Sequence, residues 1–221
     1  MVFSSVTFLF YFLPLFLLLY ILLPSLRTWT IIGGSIVFYA WGEPVYVLLL
    51  FWFILMNWAL CKMLQTSNQR TAGIILFTGV AANVSLLVFF KYATFFMQQA
   101  DALLAVFGMP SLPVPVIPLP LGISFFAFQG ISYLVDIRRG DVVAQNSLTK
   151  FAMYKAMFPQ LIAGPILRYS QIAHEINDRR IHASRMRQGV ELFIIGLAQK
   201  VLIANTLPCR PTRSSPFPPT S

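Results

Sequence analysis

A stripe of polar side chains runs through an otherwise apolar segment, residues 120–140, and its members are the first candidates for a functional site. Gln129, Ser132, Tyr133 and Asp136 stand at positions i, i+3, i+4 and i+7, so a helix would place them on one face. Polar groups at membrane depth are costly and usually face the protein interior or a wet cavity. Two interpretations stay open: the stripe joins helices through hydrogen bonds, or it lines a path for a substrate or acyl group.

A second unusual segment, residues 151–167, is apolar but is interrupted by Pro159, Gly164 and Pro165. An irregular backbone is tolerated at membrane depth only where it is buried in protein or lines a cavity. We therefore predict a re-entrant segment that turns at residues 163–165, with a kinked crossing as the alternative.

The remaining reactive residue types do not form a recognisable constellation. Cys61 closes an apolar run and Cys209 lies in a proline-rich tail, so their positions do not favour a disulfide. With His174 and His182 they have no metal-ligand spacing, and we predict no metal site. Both histidines fall in the arginine-rich segment 168–188, which predicts solvated side chains on or near an interfacial helix.

The composition indicates the class of protein that must position these residues. Apolar residues make up 57% of the chain, charged residues 10%, and the mean hydropathy is +0.74. Several apolar runs approach the roughly 20 residues that cross a bilayer. We predict an all-α, polytopic transmembrane protein whose single membrane domain covers residues 1–207, followed by a disordered tail rich in Pro, Ser and Thr at 208–221.

The apolar runs and their connections predict the order of the elements. The first crossing, 3–23, contains Pro14 as a kink and is not a cleaved signal peptide, because no Lys or Arg precedes it and no small-residue cleavage site follows it. Further apolar segments follow at 28–41, 45–61, 72–97 and 189–207. Polar or proline-rich loops are predicted at 62–70, 98–118 and 141–150.

The net charge of +9 is distributed as in a membrane protein rather than a nucleic-acid-binding one. The basic residues lie in short loops between apolar segments, whereas nucleic acid would require them beside aromatics on a soluble face. The positive-inside rule then predicts that loop 62–70 and the arginine-rich segment face the cytoplasm and that loop 98–118 faces outward.

Three blocks of sequence together resemble a known family. They are MVFSS (1–5) with FYAW (38–41) downstream, PLGISFFAFQGISYLVD (120–136) and FPQLIAGPILRY (158–169). In order and spacing they resemble the membrane-bound O-acyltransferase family, in particular the branch of the bacterial alginate O-acetyltransferase membrane subunit and its peptidoglycan and teichoic-acid relatives.

The resemblance implies an enzyme of the bacterial inner membrane that passes acetyl groups, with acetyl-CoA as the donor, across the membrane. An extracytoplasmic acetyltransferase subunit would receive them and modify a polysaccharide such as alginate. Arg168 would lie beside the donor entrance, where its guanidinium would bind anionic groups of the coenzyme, or it would only follow the positive-inside rule.

The chain departs from the family at its end. The family's acid/base histidine lies in a later apolar segment, and neither His174 nor His182 is its counterpart. The change after Leu207 to proline-rich sequence predicts a truncated or frameshifted product that is inactive alone. The alternatives are a multi-pass transporter, acyl transfer to peptidoglycan or teichoic acid, and a non-catalytic fragment that binds a partner subunit.

Overall fold

The computed structural model describes residues 3, 5–107, 110, 118–162, 167–177 and 182–204, and these form helices joined by short connections. A π-helix, Phe8–Phe12, leads into α1 (Leu13–Leu22), and a 3₁₀ turn, Pro24–Leu26, leads into α2 (Arg27–Gly42). The later helices are α3 (Val47–Thr66), α4 (Gln69–Val106), α5 (Ile123–Arg139), α6 (Leu148–Ala156), α7 (Phe158–Ile162), α8 (Tyr169–Asn177), α9 (Ala183–Ala198) and a closing π-helix, Gln199–Ala204.

Two of these helices, α3 and α4, are each long and apolar enough to cross a membrane. The segments Phe8–Leu22 and Pro24–Gly42 pass the same test as a pair, bent by 108° at their junction. The described part of the chain contains no strand. The predicted class, an all-α membrane protein with several spans, is thereby confirmed.

Two predicted loops are wrong in their bounds. The loop predicted at 98–118 begins with helix, because α4 continues to Val106. Gln, Ala and Leu dominate that stretch and are strong helix formers, and the first proline comes only at Pro110. The 38 residues of α4 extend about 57 Å, well beyond the ~30 Å of a hydrocarbon core.

The loop predicted at 62–70 is also mostly helical. Helix α3 runs to Thr66 and α4 begins at Gln69, which leaves two residues between them. The Asn68 side chain caps α4 by accepting a hydrogen bond from the Thr71 amide at 3.0 Å. Polar residues continue both helices here because the segment leaves the apolar region without any Gly or Pro to break it.

The kink predicted at Pro14 takes a different form. Pro14 is the second residue of α1, directly after the π-helix Phe8–Phe12, where a missing N–H is accommodated by the wider turn. The sharp bend comes at Leu23 and Pro24 instead. At this elbow the Arg27 guanidinium lies 5.4 Å from the centre of the Tyr20 ring and its Nε donates to the Tyr20 carbonyl.

Helix α5 is the centre of the packed structure and contacts α3, α4 and α7. It begins at Gly122, whose φ of +76° is in the left-handed region that favours glycine. A Cβ at this position would also collide with the Leu161 carbonyl of α7. Gly122 therefore allows the start of α5 to lie directly against the short helix α7.

Six phenylalanines join the N-terminal segment to α7. The Phe158 ring lies 5.1 Å from Phe16, 5.3 Å from Phe38 and 5.4 Å from Phe12, centre to centre, with Phe3 and Phe8 slightly farther away. The Phe158 backbone amide donates to the buried Ser35 hydroxyl at 3.1 Å. This cluster, which we call the Phe158 cluster, fixes the junction of α6 and α7 against α1 and α2.

The re-entrant turn predicted at residues 163–165 lies outside the described residues. On its N-terminal side the structure shows two short helices, α6 and α7, with a break at Met157. The predicted tail at 208–221, and the domain boundary at 207, also fall outside the described residues.

Candidate functional site

The structure places three of the four stripe residues in the interior. Gln129, Tyr133 and Asp136 are buried, and Ser132 is half-buried with its hydroxyl donating to the Gln129 carbonyl. Residues between them, such as Leu134, are buried as well. Helix α5 is therefore covered on several sides, and its polar stripe faces α6 and α8 rather than lipid.

A pair of asparagines, which the sequence did not single out, packs against a different face of α5 from the stripe. Asn57 of α3 and Asn83 of α4 are fully buried and exchange two amide hydrogen bonds of 3.0 and 3.2 Å. Each amide also donates to a carbonyl four residues earlier in its own helix, Phe53 and Gly79. Gly130 of α5 packs directly on this pair, since a Cβ there would lie 2.6 Å from the Asn57 Oδ1. Two asparagines within long apolar runs were the available signal.

Gln145, in the connection between α5 and α6, joins four parts of the fold. Its backbone N–H donates to the Tyr133 hydroxyl at 2.8 Å, and its backbone carbonyl accepts from the Trp58 indole at 3.1 Å. Its side chain donates to the Tyr169 hydroxyl at 3.0 Å and accepts from the Ser147 amide at 3.1 Å. Burial raises the pKa of Tyr169 in α8, an effect that the Gln145 hydrogen bond opposes. These bonds close the end of the bundle beneath the stripe.

A fully buried lysine completes the polar interior. The Lys155 side-chain nitrogen, Nζ, of α6 donates to the Phe126 carbonyl of α5 at 2.6 Å. Nearby, the Gln160 amide donates to the Tyr154 carbonyl, and the Tyr154 hydroxyl donates to the Leu167 carbonyl at 3.1 Å. Lys155 lies in the apolar segment 151–167, and its burial against α5 depends on the tertiary packing.

Two buried acceptors in this interior have no hydrogen-bond partner among the described residues: Asp136 Oδ2 and Gln160 Oε1. A buried polar atom left without a partner costs about 1–3 kcal/mol. Such atoms are suited to accept a hydrogen bond from a hydroxyl or a water molecule.

Arg168 and the two histidines lie away from this interior. Arg168 is exposed just before α8, where its backbone amide donates to the Gln171 side chain at 3.2 Å. His174 is exposed on α8, and His182 is exposed at the start of α9. The structure thus brings Gln129, Tyr133 and Asp136 together and leaves Arg168 outside. Across the described ranges no cluster of His, Cys, Asp and Glu could hold a metal ion.

The orientation of the stripe leads to a first prediction. Gln129 is buried in the polar interior near Tyr154, so we expect Gln129→Leu, which removes its side-chain amide, to cost about 1–3 kcal/mol of stability. Ile131→Leu, at a half-buried apolar position of the same helix, is the matched control and should cost less than ~1.5 kcal/mol. Thermal unfolding in detergent compares the two, and equal losses would contradict the assigned faces.

The fold and its interior define the class of the protein: a multi-span α-helical membrane protein with a buried polar centre. Known proteins make this more specific. The chain is 39% identical over 210 residues to a probable alginate O-acetylase AlgI of Azotobacter vinelandii, covering 94% of this chain and 42% of that protein. A protein of the same name from Pseudomonas aeruginosa is also 39% identical, with 94% of this chain and 40% of that protein covered. These matches confirm the predicted resemblance: over 94% of its length the chain is similar to probable alginate O-acetylases.

A peptidoglycan O-acetyltransferase of Helicobacter pylori is a more distant relative, 29% identical over 240 residues, with 93% of this chain and 45% of that protein covered. No family model and no solved structure matches the chain. The chain spans about 40% of the length of the alginate O-acetylases that it matches.

Proposed function

We propose that this chain forms part of an O-acyl transfer machinery of the bacterial inner membrane, which passes acetyl groups from acetyl-CoA toward an extracytoplasmic acetyltransferase subunit that modifies a polysaccharide. The observation that supports this most is the homology to alginate O-acetylases along 94% of the chain. Alginate is the favoured acceptor because those relatives are 37–39% identical, whereas the peptidoglycan O-acetyltransferase is 29% identical.

In this proposal the buried residues around α5 form walls of the acyl path. Gln129, Asp136 and Gln160 supply acceptors in a water-poor interior, and Lys155 supplies a buried donor bound to α5. Oriented groups of this kind act more strongly in a low dielectric than in water. The stripe residues are therefore binding and orienting groups, and none of them is assigned the role of acid/base.

A chimera tests the proposal. The matching 210 residues of the Azotobacter vinelandii relative would be replaced by those of this chain and expressed in a host that lacks its own relative. We expect membranes with the chimera, labelled acetyl-CoA and the partner subunit to acetylate alginate, and to acetylate peptidoglycan less. Normal membrane insertion without acetylation of either polymer would contradict the proposed function.

A second prediction tests the binding of the acetyl donor, acetyl-CoA. If Arg168 binds anionic groups of acetyl-CoA, Arg168→Gln in the chimera should raise the KM for acetyl-CoA by roughly 5-fold, equivalent to about 1 kcal/mol for an exposed charge pair. Arg187→Gln is the matched control, because Arg187 is exposed and pairs with Glu191 at 2.9 Å. An unchanged KM in Arg168→Gln would contradict donor binding by Arg168. The arginine would then only help to orient the chain in the membrane, as the positive-inside rule describes.

A third prediction concerns the chain as a stand-alone polypeptide. We expect its 221 residues to transfer no acetyl group above background, although they insert in the membrane. A positioned acid/base typically contributes about 10²–10⁴-fold, and histidine suits that role near neutral pH. Both histidines of this chain are exposed and lie outside the polar interior. The chimera is the positive control of the same assay, and labelled product from the chain alone would contradict the prediction.

A further inference from the structure

A cavity of about 430 Å³ lies between the elbow of α1 and α2 on one side and α6, α8 and the start of α9 on the other. Its floor is apolar and includes Ile31, Met153 and Ile176. Its volume falls within the ~300–1,000 Å³ of small-molecule sites. The cavity is separate from the polar interior, since neither the stripe residues nor Lys155 line it.

The rim of this cavity carries the chain's two histidines. His174, His182 and Arg185 offer hydrogen-bond donors, and Glu175 offers an acceptor beside them. All four are exposed. A guanidinium with two imidazoles suits a phosphate, and a carboxylate next to them suits a hydroxyl or ammonium group attached to that phosphate.

The position of the cavity points to lipid. Tyr20, on its wall, belongs to α1, a helix without a buried residue, in which every leucine except Leu13 is exposed. Helix α8 lines the opposite wall with Ile172 and Ile176 while His174 and Glu175 stand at the rim, as in a helix lying at a membrane surface. An apolar floor with a charged rim thus lies beside an exposed apolar surface of α1.

We infer that this cavity binds a glycerophospholipid whose headgroup carries a hydroxyl or a primary ammonium group, with an acyl chain on the apolar floor and the phosphate at His174, His182 and Arg185. Glu175 accepts the hydrogen bond from the headgroup. The site joins the elbow to α8 and α9 through the lipid, and this role is independent of the proposed acetyl transfer.

The test uses the full chain purified in detergent, with Cys209→Ser so that the buried Cys61 reports unfolding through a thiol-reactive fluorophore. Phosphatidylglycerol at saturating concentration should raise the unfolding midpoint by roughly 5–10 °C. Phosphatidylcholine, whose headgroup has no donor, should raise it less. Equal effects of the two lipids would overturn the assigned role of Glu175 and with it the proposed headgroup.

Matched variants locate the effect. Arg185→Gln should weaken phosphatidylglycerol binding about tenfold or more, whereas Arg187→Gln, two residues away and outside the cavity, should not. Equal losses in both variants would show general surface attraction and overturn the site. Met157→Phe, which fills the floor, should prevent the lipid-induced rise while the lipid-free midpoint stays close to that of the parent chain.

Coenzyme A is tested as an alternative ligand of the cavity, because it also carries phosphates. We expect it to leave the midpoint of the chain unchanged and not to compete with phosphatidylglycerol. A rise with coenzyme A that depends on Arg185 would assign the cavity to the acyl donor and overturn the lipid assignment.

Discussion

Replacing Phe158 with alanine is expected to lower the free energy of unfolding by about 3–5 kcal/mol, which corresponds to a fall in the unfolding midpoint of roughly 6–20 °C. The Phe158 side chain is 4% exposed and contacts rings from the N-terminal segment and from α2. Its removal would leave a cavity that several helices line, and large rings around it cannot collapse to fill the space.

The fluorescent-thiol measurement at Cys61 reads out this prediction as well, because Cys61 is 1% exposed and far along the chain from the substitution. Phe10→Ala is the matched control. It makes the same change at a side chain that is 71% exposed and lies in the N-terminal segment that Phe158 contacts. No cavity forms there, so its midpoint should stay near that of the parent chain. Similar losses in both variants would mean that the Phe158 cluster does not stabilise the fold.

Replacing Gly130 with leucine should cost about 2–5 kcal/mol, since it adds overpacking of ~1–3 kcal/mol to the loss of inter-helix hydrogen bonds worth ~0.6–1.7 kcal/mol. A Cβ at position 130 would lie 2.6 Å from the Asn57 Oδ1 and 2.9 Å from the Asn83 Oδ1. The asparagines can move aside only by giving up the bonds that join α3 to α4.

Gly73→Leu is the control for this substitution. Gly73 lies in α4, and a Cβ there has no atom within 4 Å, so leucine should be neutral or slightly stabilising through its better helix propensity. Shortening Asn57 and Asn83 to alanine in the Gly130→Leu background should recover part of the loss, because contacting residues are not additive. A Gly130→Leu chain as stable as Gly73→Leu would contradict the packing of α5 on the asparagine pair.

The class of the protein and its main helices could be predicted from the sequence alone. Apolar composition and run length suffice for this, because a bilayer requires long apolar segments whose backbone bonds are satisfied internally. The spacing of Gln129, Tyr133 and Asp136 likewise placed them on one face of a helix, which follows from the helical repeat alone. The family resemblance needed only the order of three sequence blocks.

Helix ends that lie near polar residues were harder to predict from the sequence. The stretches 62–66 and 98–106 contain polar residues that are typical of loops, but they are also rich in residues that favour helices. Both stretches are helical, so helix propensity outweighed polarity. Polarity marks where a helix leaves the membrane, whereas glycine, proline and capping residues mark where it ends.

Only the tertiary structure decided which distant polar groups meet. Asn57 and Asn83 are 26 residues apart, Lys155 and Phe126 are 29 apart, and Gln145 joins Trp58, 87 residues away. Helical periodicity acts over a few residues, so it assigns a face to each residue but not the helix that covers that face. That choice follows from the packing of α5 between its neighbours, where Gly130 and Gly122 permit backbone approaches that no side chain would allow.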